Sequence, residues 1–246
     1  MNLQIDVGNT QTKWRVVEGG QVLQRGSQET ATLTDGQLDF SAVPSITDAH
    51  LCSVANPIIT QSISLHLAQQ FNVELQVAQV SANAGGVFCG SEQTQALGVD
   101  RWLAVVAAYQ QYQGAVLVVD VGSAMTLDLV SPDGQHVGGY ILPGLRRMRE
   151  ALWRGTDKVR TAEDVEPIDA LNMLVPGAIT EDAVNRGCLL AAVAVVEKVA
   201  STYPAAVVIT GGDAPTLIDA LSLKADYSPD LVLAGLSVKD VEFVSA

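Results

Sequence analysis

Positive charge is scarce in this chain: 14 Lys and Arg stand against 27 Asp and Glu among 246 residues, a formal net charge of −13. No broad positive field exists to replace the counterions of a phosphate backbone, which excludes a general nucleic-acid binder. A basic membrane-docking face fails on the same count. Cysteine and histidine are sparse too. Cys52, Cys89 and Cys188 are odd in number and far apart, and His50, His66 and His136 are scattered. Neither a disulfide framework nor a metal-ligand spacing results. The longest apolar run, Cys188 to Val196, is nine residues and is ended by Glu197, whereas a membrane span needs about 20. The start, MNLQIDVGNT, lacks the basic residues and apolar stretch of a secretory signal. The expectation is a cytoplasmic protein with reduced thiols and no membrane partner.

What is present is apolar. Hydrophobic residues make up 48% of the chain and charged ones 17%, a composition that excludes intrinsic disorder. The length suits one large domain or two of roughly 100–150 residues.

The chain also resembles itself. At an offset of 114, LQIDVGNTQTKWRVVEGGQ aligns with LVVDVGSAMTLDLVSPDGQ. The identities are Leu3/Leu117, Asp6/Asp120, Val7/Val121, Gly8/Gly122, Thr12/Thr126, Val16/Val130, Gly20/Gly134 and Gln21/Gln135. Each copy reads as an apolar strand ending in D-V-G, a polar loop, a second strand (Thr12 to Val17; Thr126 to Val130), a Gly-rich turn and a third strand (Val22–Leu23; His136 to Ile141). Two halves follow, 1–114 and 115–246.

Strands then alternate with helices. The first half is expected to hold a strand at Ala49–Val54, a helix at Pro57–Phe71 capped by Asn56, a strand at Val73–Val80 and a helix at Asp100–Tyr112. The second is expected to hold helices at Pro143–Arg154 and Thr180–Tyr203, a strand at Ala206–Thr210 and a helix at Asp213–Leu221. Strand–helix–strand order implies parallel pairing, so each half reads as a mixed α/β sheet carrying an antiparallel meander. Between Gly155 and Gly177, Glu163, Asp164, Glu166 and Asp169 mark a surface segment or a partner-facing loop.

The paired loops read as a phosphate clamp. In Asp6-Val7-Gly8-Asn9-Thr10-Gln11-Thr12-Lys13, Gly8 lets the following N–H groups converge on an anion. Asn9, Thr10 and Thr12 add short donors, and Lys13 adds a point charge. Asp6 would repel a polyphosphate alone; it makes sense as a partner of bound Mg²⁺, directly or through water. The second loop, Asp120-Val121-Gly122-Ser123-Ala124-Met125-Thr126, repeats the acid, the glycine and the hydroxyls without the lysine. Facing each other, the loops would hold a triphosphate from both sides. A third element, Thr210-Gly211-Gly212-Asp213, opens a helix with paired glycines, which permits close approach of an adenine or ribose. Neither G-x-x-x-x-G-K-[ST] nor G-x-G-x-x-G occurs.

These loops resemble those of the acetate- and sugar-kinase, heat-shock-chaperone and actin superfamily, whose two domains are duplicated ribonuclease-H-like folds. Three stretches narrow the likeness to type III pantothenate kinases. Gly98-Val99-Asp100-Arg101 resembles their G-x-D-R, Gly138-Gly139-Tyr140-Ile141-Leu142-Pro143-Gly144 resembles their G-G-x-I-x-P-G, and Thr180 matches a threonine that contacts pantothenate. The resemblance implies ATP-dependent phosphorylation of pantothenate to 4'-phosphopantothenate, the first step toward coenzyme A. Asp100 becomes the candidate base for the substrate hydroxyl and Arg101 the bidentate partner of the pantothenate carboxylate, with Gly98, Val99 and Thr180 lining the substrate. Asp6 belongs with Mg²⁺–ATP, Asp120 with a monovalent cation (potassium or ammonium), Ser123 and Thr126 with the phosphates, and Gly211 and Gly212 with the adenosine side. The resemblance also implies a homodimer that completes the pantothenate site. One departure is visible: where the family reads N-G-Y, this chain has Cys89-Gly90-Ser91, with Phe88 as the candidate to fill the place of the tyrosine. The alternatives are another small-molecule kinase of the superfamily, or a non-catalytic regulatory relative, which would be expected to have lost Asp6, Asp100 or Arg101.

Overall fold

A computed structural model describes residues 1–33, 45–90, 94, 96–154 and 175–246. Ser91 and the acidic run Glu163, Asp164, Glu166 and Asp169 lie outside the described residues. The chain forms two compact units, one of Met1–Gln111 with Asp230–Ala246 and one of Tyr112–Pro229.

The first unit begins with the meander β1 (Asn2–Val7), β2 (Gln11–Glu18) and β3 (Gln21–Glu29), followed by a 3-10 turn at Thr30–Thr32. Then come β4 (Asp48–Ser53), α1 (Pro57–Phe71), β5 (Leu75–Gln79), the short ribbon β6 (Asn83–Ala84) and β7 (Val87–Phe88), and α2 (Val99–Tyr112). The second unit has β8 (Val116–Val121), β9 (Ala124–Val130), β10 (His136–Pro143), α3 (Leu145–Arg154), α4 (Thr180–Thr202), β11 (Ala206–Thr210), α5 (Ala214–Ala220) and β12 (Asp226–Tyr227). The chain then returns to the first unit with α6 (Leu231–Gly235) and β13 (Glu242–Ser245).

The sheets are ordered β13-β5-β4-β1-β2-β3 and β10-β9-β8-β11-β12. In the first, β1 is antiparallel to β2 and β2 to β3, while β4 runs parallel to β1 and β5 to β4. In the second, β8, β9 and β10 repeat the antiparallel meander, and β11 and β12 repeat the parallel extension. The five-strand order β5-β4-β1-β2-β3 and its directions recur in β12-β11-β8-β9-β10, with β13 added at the edge of the first sheet, which makes this an α/β protein of two ribonuclease-H-like units.

Strand alternation decides which face is buried. Leu3, Ile5 and Val7 point into a core with Trp14, Val16, Ala49 and Leu51, closed by Ile63 and Leu67 of α1. The second core is built likewise from Leu117, Val119, Val121, Met125, Leu127 and Ile209, with Leu189, Ala192, Val193 and Val196 of α4. Each fully buried aliphatic side chain contributes roughly 1.5–3 kcal/mol, so these faces, with the polar residues left on the other side, fix which side chains a ligand can meet. Helix α1 begins as expected: Asn56 accepts a hydrogen bond from the Ile58 N–H at 3.0 Å, with Pro57 at the first helical position.

Three expectations need correction. The second half does not run to residue 246, because β13 pairs antiparallel with β5 and carries the C-terminal segment back to the first unit. Strand β3 extends to Glu29, far past Leu23, and its exposed edge residues left no apolar alternation to read. Helix α3 starts at Leu145, because Pro143 still closes β10 opposite Ala124. Among the described residues, no helix is long and apolar enough to cross a membrane.

Candidate active site

Asp6 lies at the end of β1, with Lys13 opposite it on β2 and Cys52 opposite it on β4. All three belong to the polar face of the sheet, since Ile5 and Val7 point to the core. Cys52 is fully buried and its thiol donates a hydrogen bond to Asp6. Burial pushes this thiol well above its ordinary value, and the negative charges of Asp6 and then Asp100 push it further. Residues 6 and 100, far apart in the chain, therefore both lie within electrostatic reach of one buried thiol. The β1–β4 register makes this possible, and no sequence signal pointed to Cys52.

Asp100 sits in the first turn of α2, and its Oδ1 accepts a hydrogen bond from the Arg101 N–H at 2.8 Å. The helix begins one residue before it, at Val99. A Cβ on Gly98 would come within 2.5 Å of that same oxygen, so the glycine of G-x-D-R leaves room for the carboxylate to fold back. Trp102 is completely buried, a packing residue. Val99 opens the helix and Arg101 is partly exposed beside it. Thr180 lies in the second unit, exposed, at the first position of α4. Phe88, on β7, is 47% exposed.

The first loop is a hairpin tip closed by the Gly8 N–H donating to the Gln11 carbonyl at 3.1 Å. Asn9, Thr10 and Gln11 are exposed there, as donors to a ligand require. Thr12 is not: it is fully buried, and its hydroxyl is 3.0 Å from that of Thr30. Thr30 in turn donates to the Gly8 carbonyl at 2.7 Å, and its N–H donates to the Thr10 carbonyl at 2.9 Å. Thr12 and Thr30 thus support the loop from beneath. Thr30 carries no motif and was invisible in the sequence.

The second loop differs by one residue. In the first unit Asp6 faces Lys13 and Val7 faces Thr12; in the second Asp120 faces Thr126 and Val121 faces Met125. The repeat offset is therefore 114 up to the glycines but 113 along β2 and β9. A one-residue shift moves a side chain to the other face of a sheet, so Thr126 occupies the place of Lys13 rather than that of Thr12. Thr126 is correspondingly half-exposed, with Ser123 at the tip.

Beside this loop runs the turn after β11. Gly211 has φ +100°, and a Cβ there would come within 2.6 Å of the Asp120 Oδ1. The Asp213 N–H donates to the Val121 carbonyl at 3.0 Å. Gly144, ahead of α3, donates its N–H to the Ser123 carbonyl at 3.2 Å, and any Cβ on it would collide with the Gly122 and Ser123 backbone. Each of these glycines permits a close backbone approach.

A family model described as type III pantothenate kinase matches residues 2–202. The type III pantothenate kinase of Ectopseudomonas mendocina (strain ymp) is 40% identical over 247 residues, covering 97% of this chain and 98% of that protein. Among solved structures, a conserved Campylobacter jejuni protein assigned to the Baf family of transcriptional activators has a TM-score of 0.62 at 21% identity, over 95% of this chain and 94% of that one. A Sinorhizobium meliloti protein assigned as a 2-dehydro-3-deoxygalactonokinase has 0.55 at 16%, over 96% and 97%. At those identities the structural likeness speaks for the fold alone. The near full-length relative and the family match speak for more: this chain belongs to the type III pantothenate kinase family.

Proposed function

We propose that this protein transfers the γ-phosphate of ATP to the primary hydroxyl of pantothenate, the first step of coenzyme A biosynthesis. Beyond family membership, what supports it most is that Asp6, paired across the sheet with Cys52, and Asp100, from the first turn of α2, both act electrostatically on that one buried thiol. A kinase acting on an alcohol needs one carboxylate for the metal–nucleotide and another for the hydroxyl proton. Asp100 accepts the proton as the oxygen attacks. Arg101, next to it, holds the pantothenate carboxylate through a bidentate pair, and Gly98, Val99 and Thr180 complete the substrate contacts.

Among the described residues no group of three or more His, Cys, Asp and Glu could cage a metal. Mg²⁺ bound through substrate phosphates and water needs only one or two carboxylates, and Asp6 fits that demand. When bound, Mg²⁺ neutralises charge on the transferring phosphate. The exposed tip Asn9 to Gln11, with the backbone of Val7 and Gly8 and with Lys13, binds phosphate oxygens; Ser123 and Thr126 do so in the second unit. Gly211 and Gly212 admit the adenosine side. Asp120, whose carboxylate the Gly211 backbone approaches closely, holds a monovalent cation, potassium or ammonium. The active form is a cytoplasmic homodimer, each copy completing its partner's pantothenate site.

The test is a turnover assay with Mg²⁺–ATP and a potassium salt. ADP should form only when pantothenate is added, and Asp100→Asn should lower turnover by roughly 10²–10⁴ while Mg²⁺–ATP still binds. ADP release without an acceptor, or activity on sugars alone, overturns the assignment.

A further inference from the structure

The one-residue difference between the hairpins leaves the second loop short of charge. Where Lys13 stands opposite Asp6, the neutral Thr126 stands opposite Asp120. Helix α3 brings cations to the same place. Its ten residues include Arg146, Arg147, Arg149 and Arg154, four of the chain's 14 Lys and Arg. Its start is fastened to the loop through the Gly144–Ser123 hydrogen bond and the close backbone contact described above.

Two of these arginines lie within electrostatic reach of Asp213, and Arg149 also of Cys188 on α4. The Asp213 carboxyl is half-buried, and burial lifts it above its ordinary value, against which the positive charges of Arg149 and then Arg146 act. Asp213 is itself tied to the loop by its N–H bond to Val121. Arg146 and Arg149 are three residues apart and so share a helix face, whereas Arg147 points elsewhere. Arg146 pairs with Glu150 at 2.6 Å. Arg149 is half-buried and has, among the described residues, no hydrogen bond or ion pair of its own.

We propose that Arg149, with Arg146 beside it, binds the phosphate chain of the nucleotide at the second loop, taking there the part that Lys13 takes at the first. Asp213 is the positioning residue that keeps the guanidinium groups turned toward the loop before phosphate arrives. A guanidinium suits this place because it stays charged when half-buried and meets phosphate oxygens bidentately. The inference rests on the kinase reading above, and the experiment separates the two.

Mg²⁺–ATP binding is measured by calorimetry across a salt series for the wild type, Arg149→Gln, Arg149→Lys, Arg146→Gln and Arg147→Gln. Loss of a charged hydrogen bond should raise the Kd of Arg149→Gln about ten- to hundredfold and flatten its salt dependence. Arg146→Gln should show a smaller rise, Arg149→Lys a partial one, and Arg147→Gln should match the wild type. Salt dependence is the readout that a merely structural role would leave unchanged, and Arg149→Lys keeps the test open should Arg149→Gln fail to fold. Unchanged affinity and salt slope in Arg149→Gln, or an equal loss in Arg147→Gln, overturns the inference alone. A wild type that binds no nucleotide overturns the kinase reading with it.

Discussion

Gly211 and Gly212 are neighbours in one turn, yet substitution by alanine should have opposite consequences. At Gly211 the backbone sits at φ +100°, and a Cβ would press on the Asp120 Oδ1 at 2.6 Å and on the Val121 backbone. The left-handed conformation costs about 1–2 kcal/mol for an L-residue, and overpacking against neighbours that cannot yield adds about 1–3 kcal/mol. At Gly212 a Cβ would meet nothing within 4 Å, so the change should stay within about 0.5 kcal/mol. With roughly 4 °C lost per kcal/mol in a unit of this size, Gly211→Ala should melt roughly 8–20 °C below the wild type by circular dichroism, whereas Gly212→Ala should melt with the wild type. The functional effects should part in the other direction. If a flat adenine or ribose passes over this turn, the methyl group of Gly212→Ala should raise the KM for ATP with no loss of stability. Equal melting temperatures for the two variants would refute the steric argument, and an unchanged KM in Gly212→Ala would remove the nucleotide from this turn.

Stability should decline on the alkaline side. Burial holds the thiols of Cys52, Cys89 and Cys188 above their ordinary 9.0, while burial and a hydrogen bond donated to Asp226 push Tyr112 from 10.0 up to about 12. The unfolded chain loses these protons first, so their contribution is complete below pH 9 and fades as pH rises through the folded values. The urea midpoint should fall from about pH 9 upward, less steeply in Cys52→Ala; a midpoint that climbs over that range contradicts the assignment. Thr30→Val should cost about 1–3 kcal/mol by leaving the Thr12 hydroxyl and the Gly8 carbonyl unpaired, and should weaken ATP binding; denaturant titration and calorimetry check both. Replacing potassium by sodium should lower turnover if Asp120 holds the cation, and equal rates in the two salts would remove that role.

Much of the candidate site was legible along the chain because its motifs are local. The D-V-G loops, the G-x-D-R turn and the Gly-Gly turn each lie within a few residues, where glycine, a hydroxyl or a carboxylate has its effect on its immediate neighbours. The boundaries of α1 and β11 followed from an Asn-Pro cap and an apolar run for the same reason. The ungapped repeat misled at one point. It equated Thr12 with Thr126, whereas hydrogen-bonded register makes Thr126 the counterpart of Lys13, and only the pairing of strands reveals a one-residue difference in a loop.

By itself, then, the sequence determined the alternation that buries one face of each sheet, the duplication and the chemical identity of the residues at the strand ends. Tertiary structure alone decided that Thr12 is a buried support, that Asp6 and Asp100 both act on the buried Cys52 thiol, that β13 returns to the first unit, and that Arg149 and Arg146 of α3 come within electrostatic reach of Asp213. The physical reason is range: backbone freedom, caps and hydrophobic period act over a few residues. Strand register and the charge around a loop are settled by segments distant in sequence, brought together when the sheets form.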